Sequence, residues 1–247
     1  MHKCYNKIIN KLINKKKILE KIIYNGNQTI SSLKKSVFIN YKSWFILIIS
    51  VLIITRNNIV DGLKTFFFML FASHLFHYSC HLALYTNSVH LYHHKYNNYI
   101  SHFSQIILEF CSILFFIFSK HIWSWNFLNE CVIIFYYLFY TTVHNVNYSI
   151  FHVNNVHENH HKLLLLNLGP DFCDILFQTK FDVNHSLENT DHYLVNILLA
   201  LLVVLLGKLI WHHASCNEKI IISNIFVSIY GIMSFILAVL TVLFNFI

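Results

Sequence analysis

One proline and five glycines in 247 residues leave the chain few means of turning tightly, which excludes collagen-like, loop-rich and linker-joined designs and favours long helices. Charged side chains are scarce as well, at 12 %, against 56 % apolar residues and a mean hydropathy of +0.52. That balance excludes an ordinary soluble domain and describes a membrane chain. The six cysteines (Cys4, Cys80, Cys111, Cys131, Cys173 and Cys216) contain no CxxC pair, and four lie in or beside apolar stretches. Neither a disulfide framework nor a thiolate metal site is expected from them.

What charge there is gathers at one end. Nine of the 18 basic residues fall in the first 35 positions, where Glu20 is the only acid, so the net charge of +7 is an N-terminal feature. A basic run beside an apolar segment marks the cytosolic flank of a membrane protein more often than a nucleic-acid site. Residues 1–36 are therefore expected to be a retained basic cytosolic segment, and 37–247 a single membrane-embedded domain; no nucleic-acid partner is expected. Apolar runs follow at about 37–55, 65–84, 103–119, 122–143, 194–211 and 220–247. A helix needs roughly 20 apolar residues to cross about 30 Å of hydrocarbon, which predicts an all-α bundle of about four to six membrane helices. The first run carries Lys42, and the third and fourth carry Glu109 and Glu130; only Lys120 and His121 separate those two, which suggests a tight hairpin. One hairpin between the polar intervals 85–102 and 144–193 puts both on the same side, expected to be the cytosol. Three sequons, at Asn27, Asn147 and Asn184, are then expected to stay unmodified.

Histidine is the one abundant polar residue, at 18 against 29 for all Lys, Arg, Asp and Glu. His77 and His81 stand four apart, one helical turn, with His74 a turn earlier. His90, His93 and His94 form an HxxHH box, as do His157, His160 and His161. On a helix the first and last members of such a box share a face while the middle one points about 100° away, so each box can serve two adjacent metals. Chance placement at this histidine frequency gives roughly 0.1 such boxes in the chain, which makes two a signal. His144 and His152 are further candidate ligands, with an ordinary interfacial histidine as the other reading of each. His185, His192, His212 and His213 have less support, and His2, His102 and His121 read as bystanders. Eight to ten imidazoles with few carboxylates or thiols suit a first-row metal and exceed what one ion can hold, so two metals are the economical reading. Glu109, Glu158, Asn167, Asp171 and Asp174 are candidates to accept hydrogen bonds from the ligand rings.

These boxes resemble those of the fatty acid hydroxylase superfamily, also called the sterol desaturase family, of integral membrane di-iron oxygenases. The similarity spans about residues 65–185, and extends past the last box to Asn167-Leu-Gly169-Pro170 and Asp174-Ile-Leu-Phe177-Gln-Thr179. The resemblance implies a cytosolic histidine-rich helical cap holding a dimetal site, and O2-dependent hydroxylation or desaturation of a lipid C–H bond (fatty acyl, sphingolipid or sterol) in lipid biosynthesis. It implies His77, His81, His90, His93, His94, His157, His160 and His161 as ligands, two iron ions as cofactor, with zinc able to occupy the site in a purified protein, and an endoplasmic reticulum location. Gln178 departs from the family, which has Gly there, and the family's third box is matched only loosely by His144 and His152. No GxGxxG fingerprint or haem-domain signature is present, so electrons are expected from a separate donor, which the resemblance implies to be a b-type cytochrome and its reductase. The competing readings are a divalent metal transporter or histidine-lined membrane metal-binding protein, and a b-type haem carrier.

Overall fold

The computed structural model describes residues 26–82, 88–96, 98–181 and 187–245, and every regular element among them is a helix. The basic segment up to residue 25, the sequon at Asn184 and His185 lie outside the described residues. Helices α1 (Gly26–Ile39) and α2 (Tyr41–Ile54) meet at Asn40 with a 74° bend, so the first apolar run is a broken segment rather than one straight span. The boundary expected after residue 36 falls inside α1, which is tied to the rest of the molecule by a hydrogen bond from Ser36 Oγ to Asp171 Oδ2 (2.7 Å). Helix α3 (Ile59–Leu82) folds back against α2. Gly62 permits this, since a Cβ there would meet Thr55 Oγ1 at 2.2 Å. A short α4 (Ser88–Lys95) leads to α5 (Tyr99–Ile122), which Asn98 caps by accepting from Ser101 N at 2.8 Å.

Helix α6 (Glu130–Thr142) corrects where the expected hairpin turns, which the sequence placed at Lys120 and His121. Its 13 residues are about 20 Å long, and the π-helical turn that follows carries the helix on to the histidine end. The physical reason lies at its start. Helix α5 runs through Lys120 and His121 to Ile122, so the turn falls over residues 123–129 instead, and Asn129 caps α6 only at Glu130 by accepting from Val132 N. A π-helical turn (Val143–Tyr148) continues it. Then come α7 (Val156–Lys162), α8 (Asp171–Leu176), a 3₁₀ turn (Asp191–Tyr193), α9 (Leu194–His213) and α10 (Cys216–Asn245). Four helices are long and apolar enough to cross a membrane: Ile59–His81, Tyr99–Ile122, Asp191–His213 and Cys216–Asn245, or five if the bent pair counts as one. This is the composition of an integral membrane protein.

The core explains how the helices align. Phe66, Met69, Val132, Ile133, Phe135 and Tyr136 are all at most 1 % exposed and mesh α3 with α6. At the far end of this pair Thr65 Oγ1 donates to Phe127 O (3.0 Å) and accepts from Asn129 N (2.9 Å). The face of α3 that starts at Phe66 continues through Leu70 and Ser73 to His77 and His81. One stripe therefore passes from apolar core to imidazole as it nears the helix end, where α5 begins and α6 ends. Asn147 is buried there, donating to His192 O and Asn196 Oδ1.

Candidate metal centre

Four separate segments deliver histidines to this end of the bundle. The last turns of α3 carry His77 and His81, α4 carries His90, His93 and His94, the π turn carries His144, and α7 carries His157, His160 and His161. Two groups form. In the first, ligand atoms of His77, His81, His90, His94 and His160 all lie within 4.8 Å of one another; in the second, those of His93, His144 and His157 do the same. His161 stands between them, its Nε2 2.9 Å from His157 Nε2 and its ring centroid 4.2 Å from that of His94. Each HxxHH box divides as helix geometry requires. His90 and His94 share the first group while His93 crosses to the second; His157 and His161 pair on the second side while His160 crosses to the first. Of the ten candidate ligands only His152 stays away: it is exposed, on a residue with φ 49°.

The hydrogen bonds behind the rings fix their tautomers. His77 Nδ1 donates to Leu168 O (2.7 Å) and His160 Nδ1 to Leu166 O (2.8 Å), because a carbonyl can only accept. In the neutral rings both Nε2 atoms are then bare, yet they face each other at 3.0 Å with no proton to share. His90 Nδ1 donates to Gln105 Oε1 (3.0 Å), and its Nε2 sits 3.1 Å from those of His81 and His94. His144 Nδ1 donates to Glu109 Oε1 (2.5 Å), leaving its buried Nε2 without a partner, and neither nitrogen of buried His93 has one. Buried acceptors left unmatched cost about 1–3 kcal/mol each, so several together rival a typical net stability of about 5–15 kcal/mol. A cation between the lone pairs reverses the sign. With metal–nitrogen bonds of about 2.0–2.1 Å, ligand atoms on one ion lie about 3–4 Å apart; the Nε2 pairs His77–His160, His81–His90, His90–His94 and His157–His161 stand 2.9–3.1 Å apart. Protonating the rings is no substitute, since burial lowers His90 and His161 to about 4 and lowers His93, His94, His157 and His160 as well.

The segment after the last box is what holds these rings. Asp174 accepts from Leu168 N (2.9 Å), Gly169 N (2.8 Å) and Thr179 Oγ1 (2.7 Å), so the 166–169 loop turns its carbonyls toward His160, His77 and His74. Asn167 and Gly169 take φ values of 52° and 66° to do so. Asn167 also binds this loop to the following strand of chain, its Oδ1 accepting from Phe181 N. Burial pushes Asp174 up to about 7 despite these donors.

Of the other expected acceptors, Glu109 is buried and also receives Gln105 Nε2 and Asn145 Nδ2. Glu158 is exposed and pairs with Lys162, and Asp171 pairs with buried Lys180 and Ser36, so neither supports a ligand ring. Sequence reasoning missed Gln105. Its signal was a polar stripe of Ser101, Gln105, Glu109 and Ser112 at helical spacing along an otherwise apolar α5. His102, read as a bystander, packs its ring 5.6 Å from His93, while His121 pairs with Glu130 at the opposite end. Glu130, the first residue of α6, also pairs with Lys120.

No protein-family model, curated protein or solved structure matches this chain. The site's own geometry therefore carries the functional argument. Two cavities flank the histidines. One opens below His77 and His90 between α3, α5 and α6, with Phe76, Cys80, Leu108 and Tyr137 in its wall beside Gln105 and Glu109. There Ser73 Oγ pairs with Tyr136 OH (2.7 Å) and Ser112 Oγ with Tyr137 OH, so the hydroxyls satisfy one another and the wall stays apolar in effect. The other borders His144 and His157 and is lined by Tyr148, Asp174, Glu188 and Tyr193.

Proposed function

We propose that the protein is a membrane-bound di-iron oxidoreductase that uses O2 to hydroxylate or desaturate a lipid C–H bond. The observation that carries this reading is the pair of adjoining histidine groups, bridged by His94 and His161 at 4.2 Å between ring centroids, directly above an apolar cavity set among spans. His77, His81, His90, His94 and His160 would hold one iron, and His93, His144, His157 and His161 the other. An iron pair supplies the activation of O2 that imidazoles alone cannot provide.

The chain's own residues do the rest. Leu166 O, Leu168 O, Gln105 and Glu109 fix which ring nitrogen is bare and aim it inward. The Glu109 carboxylate, bonded to His144 of the second group, offsets part of the positive charge that neutral ligands leave uncompensated. Burial of the cluster excludes water, which protects a reactive centre from side reactions. The first cavity, walled by Phe76, Leu108 and paired phenols, would receive an acyl or sterol segment entering sideways from the bilayer. Net hydroxylation consumes one O2, two electrons and two protons and releases water, so a one-electron donor of the b-type cytochrome class, with its reductase, would have to dock at the histidine end. We assign that end to the cytosol and the protein to the endoplasmic reticulum, with the basic N-terminal segment on the same side.

The test is lipid profiling in cells that express the wild type or the His160→Ala, His161→Ala double variant, which removes one ring from each group. A hydroxylated or desaturated lipid that depends on the intact boxes is the expected result, with about two irons per purified chain. Absence of any such lipid sinks the catalytic reading, and a Soret band in the purified protein would favour haem instead.

A further inference from the structure

The second cavity holds a polar arrangement that the reaction above does not use. Tyr148, the last residue of the π turn and four residues after His144, lays its ring nearly parallel to the imidazole of His157, with centroids 5.8 Å apart and planes at 13°. Its hydroxyl donates to Glu188 Oε1 and contacts Tyr193 OH at 2.5 Å. Glu188 is buried among those two phenols and Asn154, whose Nδ2 donates to it at 2.8 Å. Oxidising a phenol by one electron makes its hydroxyl strongly acidic, so the oxidation proceeds when an electron acceptor lies against the ring and a base lies against the oxygen. Tyr148 has both. Tyr140 lacks the second: its ring lies beside His144, but among the described residues its hydroxyl is hydrogen-bonded to no carboxylate and stands 3.5 Å from His77 Nδ1, whose proton is already given to Leu168 O.

We propose that Tyr148 is a redox-active tyrosine that gives one electron, through His157, to the metal pair once O2 has oxidised it, and gives its phenolic proton to Glu188. This rests on the dimetal reading above. The O–H bond of Tyr148 breaks and an O–H bond forms on Glu188; the metal pair gains one electron, and a neutral phenoxyl radical remains. An electron from the external donor and the proton held on Glu188 restore the phenol. Burial holds Glu188 above the usual carboxylate range, which favours the protonated product. Such a side path discharges the centre when the first cavity holds no C–H bond to attack.

The full-length protein, purified in detergent and loaded anaerobically with ferrous iron, is mixed with O2 without lipid and frozen at intervals for electron paramagnetic resonance. A radical signal is expected whose hyperfine structure collapses when ring-deuterated tyrosine is incorporated. Tyr148→Phe is expected to lose the signal while binding the same iron, Tyr140→Phe to keep it, and Glu188→Gln to slow its appearance because the amide accepts no proton. A signal that persists in Tyr148→Phe, or forms at an unchanged rate in Glu188→Gln, overturns the proposal. Bound iron and O2 uptake with no radical overturn it and leave the oxygenase reading standing, whereas a chain that binds no iron overturns both.

Discussion

Asp174 touches no candidate ligand, yet it governs two of them. Both of its oxygens receive backbone N–H groups, from Leu168 and Gly169, and a third donor comes from Thr179. Asparagine has one acceptor oxygen, so Asp174→Asn would turn an amide N–H toward another donor and release the Leu166 and Leu168 carbonyls. A loss of about 1–3 kcal/mol in denaturant unfolding is expected from the unmatched donor. Iron affinity, read by titration, is expected to fall by about 10–100-fold, the usual effect of disturbing a ligand's support. Gln178 makes the opposite case. It follows α8 at φ 59°, a left-handed cap that costs a side chain about 1–2 kcal/mol and glycine almost nothing. Gln178→Gly is expected to stabilise the protein by about 0.5–1 kcal/mol after the larger unfolded-state entropy of glycine is deducted, visible as a raised melting temperature. The departure at Gln178 was legible in the sequence. That Asp174 works through backbone carbonyls was not, because a carbonyl leaves no trace in the side-chain pattern.

At the scale of elements, α4 and α7 act as two-sided plates. Each sends its middle histidine to the group opposite its outer pair, so single substitutions should divide by group. His90→Ala is expected to lower iron by about one of two equivalents, and His93→Ala to remove the other, as measured by elemental analysis of the purified chain. Equal loss of both metals in each variant would mean the groups fill as one unit. The boxes themselves were readable because 3.6-residue periodicity fixes which histidines share a face. His144 was readable only as a candidate, and His152 went wrong, since the turn between them is irregular and no periodicity says where a residue with φ 49° will point. The same limit explains α6. An apolar run ends where a cap begins a helix, and Asn129 was no more conspicuous than other asparagines.

For the whole molecule, metal and stability should be linked. A cation held by the folded state at a free concentration 100 times its Kd adds about 2.7 kcal/mol, so chelation is expected to lower the melting temperature. In chelator, stability should also fall with pH in a defined window. His90 and His161 are held at about 4 against an ordinary 6.5, so between those values the unfolded chain takes up protons that the folded one refuses. Stability is full above pH 6.5 and is lost progressively toward pH 4; a melting temperature flat across that range would contradict it. The sequence by itself determined that the chain is helical and membrane-embedded, and that its histidines form boxes, because composition and periodicity act locally along the chain. Only the tertiary structure decided that nine imidazoles from four segments meet at one end of the bundle in two groups, which carbonyls hold them, and which histidine is left out. Those outcomes depend on contacts between residues far apart in sequence, such as His77 with His160, that no local pattern specifies.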